Sequence, residues 1–192
     1  MISDFIIDKT AFVHETSNIY GKVKVGRCSS IWPNVVIRSE MHEVIIGNHT
    51  NIQDFSMIHV GSSTGTYIGD YCSITHHCTI HGCVIEDNCL IGINSTIMDG
   101  ARIGKNSIVA GGAFVKEGMQ IPENSIVMGV PASVKKNKNN FVQNRFNAFM
   151  YEINGQAYLR GEYRAWEGQI FQEKAKRQMK IIIEEFEKIN NI

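Results

Sequence analysis

Residues Ile85–Val127 read IEDNCLIGINSTIMDGARIGKNSIVAGGAFVKEGMQIPENSIV. Every sixth residue is isoleucine or valine: Ile85, Ile91, Ile97, Ile103, Val109, Val115, Ile121 and Val127. Six helical residues rotate through about 240° beyond a full turn, so these positions share no face of an α-helix. One strand cannot hold them either, because glycine and asparagine recur within each period. A short strand followed by a corner, repeated every six residues, satisfies both facts and predicts a hexapeptide-repeat β-helix.

The rhythm extends toward the N-terminus through Ile7, Val13, Ile19, Val25, Ile31 and Ile37, then Ile46, Ile52 and Ile58, then Ile68, Ile74 and Ile80. All twenty positions are isoleucine or valine. Small residues sit two places earlier, among them Ser29, Thr50, Ser56, Cys72, Cys78, Cys83, Cys89, Ser95 and Ser107. Three six-residue sides make one coil, so the column predicts about six to seven coils. The rhythm is broken by a nine-residue step after Ile37, a ten-residue step after Ile58 and a five-residue step after Ile80. The two long steps predict protruding loops of three and four extra residues, where solenoids carry function.

Past Pro131 the composition changes, and KKNKNN precedes an amphipathic pattern from about Phe141. Residues 1–134 are expected to form the β-helix and residues 135–192 a helical extension. Phe146, Phe149, Met150 and Ile153 mark a first helix whose middle Asn154-Gly155 makes uncertain. A second run after Gly161 includes Tyr163, Trp166, Ile170, Ile182 and Phe186. The 192 residues carry 19 basic and 19 acidic side chains. That balance predicts no nucleic-acid or membrane partner. The N-terminal MISDFIIDKT lacks a basic leader, and the five cysteines lack a Cys-x-x-Cys pair, so a cytoplasmic protein with reduced thiols is expected.

Four of the seven histidines fall in Ile58–Cys83, IHVGSSTGTYIGDYCSITHHCTIHGC. His59 follows Ile58 and His81 follows Ile80, three sides apart, so the two should stack at the inter-strand spacing of about 4.8 Å. Arg38, after Ile37, belongs to the same column one coil earlier. His76 lies on the preceding side and should point away from them. Two stacked imidazoles do not close a tetrahedral site, and a third could come from another subunit across a threefold axis. Three neutral imidazoles with one open position match a catalytic zinc, which brings the pKa of bound water near ~7. His14, His49 and His77 read as surface residues.

The segments IWPNVVIRSEM, NIQDFSMIHV, ITHHCTIHGC and IEDNCLIG resemble the γ-class carbonic anhydrases of the hexapeptide-repeat superfamily, over roughly residues 10–134. The resemblance implies a left-handed parallel β-helix and a homotrimer. It implies zinc, or iron or cobalt, on His59, His76 and His81, two ligands from one chain and one from its neighbour. A metal-bound hydroxide would then convert carbon dioxide to bicarbonate. It further implies that Asn51 and Gln53 orient the reactants, and that Arg38 lies in the subunit contact, paired with Asp54 across it. The family's Arg-Gly-Asp segment reads Arg38-Ser39-Glu40 here, Met41 replaces an acid of some members, and the Gly61–Thr66 loop lacks their acidic insertion. Glu40, His42 or Glu43 remains to carry the proton. An acyltransferase or thioesterase acting on acyl-CoA, with His59 or His81 as base, and a non-catalytic metal-binding trimer stay open as alternatives.

Overall fold

The aliphatic column forms three parallel ladders. A computed structural model describes residues 5–191. The first ladder stacks Ile7, Val25, Ile46, Ile68, Ile85, Ile103 and Ile121. The second stacks Val13, Ile31, Ile52, Ile74, Ile91, Val109 and Val127. The third stacks Ile19, Ile37, Ile58, Ile80, Ile97 and Val115. The chain is therefore a parallel β-helix of about seven turns, and its interior is one continuous aliphatic core. Most ladder residues are completely buried, each contributing roughly 1.5–3 kcal/mol of apolar transfer. The small residues two places before them tuck under the corners: Ser29, Ser56 and Ser95 each donate a hydroxyl to a carbonyl of the coil above.

The corners need left-handed backbone. Asn88, Asn106 and Asn124 supply it at one edge with φ of 58–59°. Asparagine visits that region most readily after glycine. In the earlier coils the same edge carries Cys28, His49 and Tyr71. The nine-residue step emerges as a bulge: Gly21 pairs with Ser39 and Val23 with Val44, so one residue faces four. The ten-residue step gives the loop between the strands Met57–His59 and Thr66–Ile68. An antiparallel hairpin, Ser125–Gly129 with Ala132–Asn137, closes the last coil.

Two helices follow, α1 (Phe141–Tyr158) and α2 (Gly168–Asn190). α1 lies along the second ladder's outer face. Phe12, Trp32 and Tyr158 pack edge to face beneath it, with Trp32 and Tyr158 centroids 4.9 Å apart. Asn154-Gly155 does not break α1. Gly155 is buried there, and a Cβ on it would stand 3.2 Å from that of Ser30 and 3.3 Å from that of Phe12. The glycine lets helix and coil approach, which outweighs its low propensity. Tyr163 and Trp166, expected within the second helix, belong to the linker, where Trp166 Nε1–H donates to the Met150 carbonyl. None of the described helices is long and apolar enough to cross a membrane.

Candidate metal centre

Register places Arg38 beside His59 and His59 beside His81 on three successive coils. The imidazoles of His59 and His81 sit with centroids 4.9 Å apart, and His59 Nδ1 is 3.0 Å from His81 Nε2. His81 Nδ1–H donates to Asp99, a short hydrogen bond to a carboxylate one coil further on. This bond orients the ring and directs the other nitrogen of His81, Nε2, toward His59. His59 Nε2 lies 2.9 Å from Glu40, which also accepts from Arg38. Burial raises the Glu40 carboxyl, but the bond from His59, a backbone hydrogen bond and the Arg38 charge together outweigh it and hold the carboxyl below its usual range.

Asp99 is absent from the sequence expectation because the residue in register after Ile97 is Met98. The five-residue step after Ile80 shortens the corner at Gly82, where φ is +55°, and brings Asp99 under His81. A Cβ at Gly82 would stand 2.9 Å from one Asp99 oxygen, and one at Gly61 2.8 Å from the other. The two glycines make room for that carboxylate. Arg38, Glu40, Met41, His59, Gly61 and His81 then line a shallow cleft of about 340 Å³. Across it, Ser39 bonds back to the Lys22 and His42 carbonyls and closes the bulge. Of the other acid–base candidates, His42 contacts the Ser62 carbonyl at 3.3 Å and Glu43 pairs with Lys24.

A second set stands on the neighbouring edge. His76 Nδ1 lies 3.0 Å from Asp54 Oδ2, which leaves its Nε2 as the outward-facing ring nitrogen. Its side chain is 38% exposed. Gln53 Nε2 donates to Asn51 Oδ1 at 2.8 Å, and Asn51 Nδ2 donates to Ser73 Oγ at 2.9 Å. Both amides are almost fully buried. One chain thus brings Arg38, Glu40, His59, His81 and Asp99 together, and separately Asn51, Gln53, Asp54 and His76. Among the described residues the three candidate imidazoles do not gather in one chain. Within the chain, Arg38 pairs with Glu40 and Asp54 with His76, rather than with each other.

His49, expected at the surface, is held instead against α1. Its side chain is 15% exposed and its Nδ1 lies 2.7 Å from Glu152. The four cysteines of the small column are buried free thiols.

Residues 82–117 match the family model of bacterial transferase hexapeptide repeats. A Methanocaldococcus jannaschii protein described as "Probable carbonic anhydrase" is 46% identical over 129 residues, covering 67% of this chain and 81% of that one. Gamma carbonic anhydrase 1, mitochondrial, of Arabidopsis thaliana is 41% identical over 133 residues, 66% of this chain and 48% of its own length. The chain therefore spans about half of that relative. The crystal structure of a hexapeptide transferase family protein from Anaplasma phagocytophilum superposes with a TM-score of 0.72 at 29% identity, covering 82% of this chain and 92% of that one. On its ladders, its stacked histidines and these relatives, the chain belongs to the γ-class carbonic anhydrase-like proteins of the hexapeptide-repeat superfamily.

Proposed function

We propose that this protein is a homotrimeric metalloenzyme that hydrates carbon dioxide to bicarbonate at sites between subunits. The observation that carries the proposal is the division of the histidines. His59 and His81 converge on one edge, while His76 projects from the next edge, partly exposed and with its other ring nitrogen making no hydrogen bond among the described residues. A threefold arrangement sets the His76 edge of one chain against the His59–His81 edge of another.

The donor set fits a divalent ion. Two nitrogens on a tetrahedral zinc are about 3.3 Å apart, and those of His59 and His81 are separated by 3.0 Å. His76 and His81 each give Nδ1–H to a carboxylate, which fixes Nε2 as the ligand atom and raises its basicity. Three neutral nitrogens favour zinc, with iron or cobalt compatible. The ion would supply Lewis acidity, so that water becomes a nucleophile near neutral pH.

The chain's own groups do the rest. Asn51 accepts the Gln53 amide hydrogen, which leaves the Gln53 carbonyl free to accept a hydrogen bond and orient a reactant. Arg38 and Glu40 hold the His59 ring, and Arg38 adds positive charge to the cleft that the product anion leaves. Glu40, half-exposed at the rim, offers the proton a route to solvent. The buried free thiols accord with a reducing compartment such as the cytoplasm. Residues 1–134 would form the catalytic β-helix and 135–192 a helical brace.

Metal content per chain, mass in solution and carbon dioxide hydration test the proposal together. One ion per chain in a trimer, with hydration lost on removal of the ion, supports it; full hydration activity in a metal-free protein refutes it. The likeness to the transferase structure favours one rival, an acyl-CoA enzyme. A groove of about 410 Å³ beside His42, Tyr67, Arg102 and Gln120 gives such a substrate a place. Acyl transfer that persists after metal removal would select that rival.

A further inference from the structure

A second group of metal-binding side chains lies on the edge between the first and second ladders, away from the histidine edges. Cys28, His49 and Glu152 come from two successive coils and from α1, and their donor atoms all lie within 4.8 Å of one another. We propose that these three residues bind a zinc-class divalent cation that staples α1 to the β-helix.

The backbone is the first support. Cys28 and His49 each have φ of 54°, in the position that Asn88, Asn106 and Asn124 occupy in later coils of the same edge. Asparagine suits left-handed backbone better than cysteine or histidine does. Tyr71 holds the next such corner and packs on His49, so what sets Cys28 and His49 apart is that both corners present soft or borderline donors, one directly above the other, beside Glu152. The helix is the second support. Glu152 reaches from α1 to within 2.7 Å of His49 Nδ1, with side-chain exposures of 27% and 15%. The His49 ring is fixed flat against Tyr71, at 4.7 Å and 3°. The donors are therefore held in position and shielded from most of the solvent.

Thiolate, imidazole and carboxylate together favour zinc over magnesium or calcium. Ligand atoms on a tetrahedral zinc are about 3.3–3.8 Å apart, so small side-chain rotations inside the 4.8 Å envelope close the site. A cavity of about 230 Å³ adjoins His49 and Glu152; Glu185 and Arg145 also line it, the Arg145 guanidinium lying over the Tyr71 ring. The site contains a thiolate, whereas the three-histidine centre contains none, so the two can be told apart spectroscopically.

The test is cobalt(II) titration of the full chain after chelator treatment under reducing conditions. A near-ultraviolet thiolate-to-cobalt charge-transfer band should saturate at one equivalent per chain. It should survive His81→Ala, which removes a ligand of the other centre, and vanish in Cys28→Ser. His49→Asn keeps a residue suited to the left-handed corner, so the fold persists, and cobalt affinity at the thiolate site should fall about tenfold or more. No thiolate band at saturating cobalt, or a band unchanged by Cys28→Ser, overturns the proposal. Either result leaves the three-histidine centre untouched.

Discussion

Replacing Asp99 with alanine removes the carboxylate that accepts the His81 Nδ1 proton. Among the described residues that is the only side-chain hydrogen bond Asp99 makes, and its coil is built by Ile97 and Ile103. Asp99→Ala should therefore spare the β-helix and release the His81 ring. Removing the outer partner of a ligating histidine weakens metal binding about 10–100-fold. Asp99→Asn keeps an acceptor but loses the charge. Hydrogen bonds to charged groups exceed neutral ones by roughly 1 kcal/mol, so the amide should weaken binding by about fivefold to tenfold. Zinc affinity by chelator competition gives both values, and carbon dioxide hydration under limiting zinc should fall in parallel. Unchanged zinc affinity in Asp99→Ala would refute the positioning role.

Other perturbations test the fold. Ile103→Ala opens a cavity in a fully buried ladder position and should lower unfolding stability by about 2–5 kcal/mol in urea titrations. Gly155→Val forces α1 off Phe12 and Ser30 and should cost about 1–3 kcal/mol, seen as a lower urea midpoint at constant slope. Burial pushes the Cys83 thiol up to about 12 and raises those of Cys78 and Cys89 as well. The unfolded thiols ionise near ~8.5 and the folded ones do not, so stability should be full below that pH and fall as pH rises toward ~12. Urea midpoints between pH ~8 and ~11 check the sign, and Cys83→Ala should flatten part of the decline. In chelator-treated native protein at neutral pH, thiol alkylation should stop at Cys28, with the four buried cysteines reacting only after denaturation.

The ladders were legible because every sixth position is isoleucine or valine and nearly every coil buries it in the same way. Counting sides placed Arg38, His59 and His81 in one column, and the register shows that alignment. The same counting failed for Asp99, because a shortened corner moved it out of column. The partnership of Glu40 with His59 was hidden in the bulge, whose path depends on Ser39 bonding back to Lys22 and His42. Gly155 was misleading, since a close helix–coil approach overrode a local breaker signal. His49 read as surface because its partner Glu152 lies 103 residues away on α1, a contact no periodicity encodes.

Sharing of the site between chains is tested most directly by mixing two inactive variants. His59→Ala and His76→Ala should each abolish metal-dependent carbon dioxide hydration as separate trimers. If each site takes His59 and His81 from one chain and His76 from its neighbour, random co-assembly in equal amounts rebuilds a quarter of the sites, giving about 25% of wild-type activity. A co-assembled mixture no more active than either variant alone would contradict a shared site.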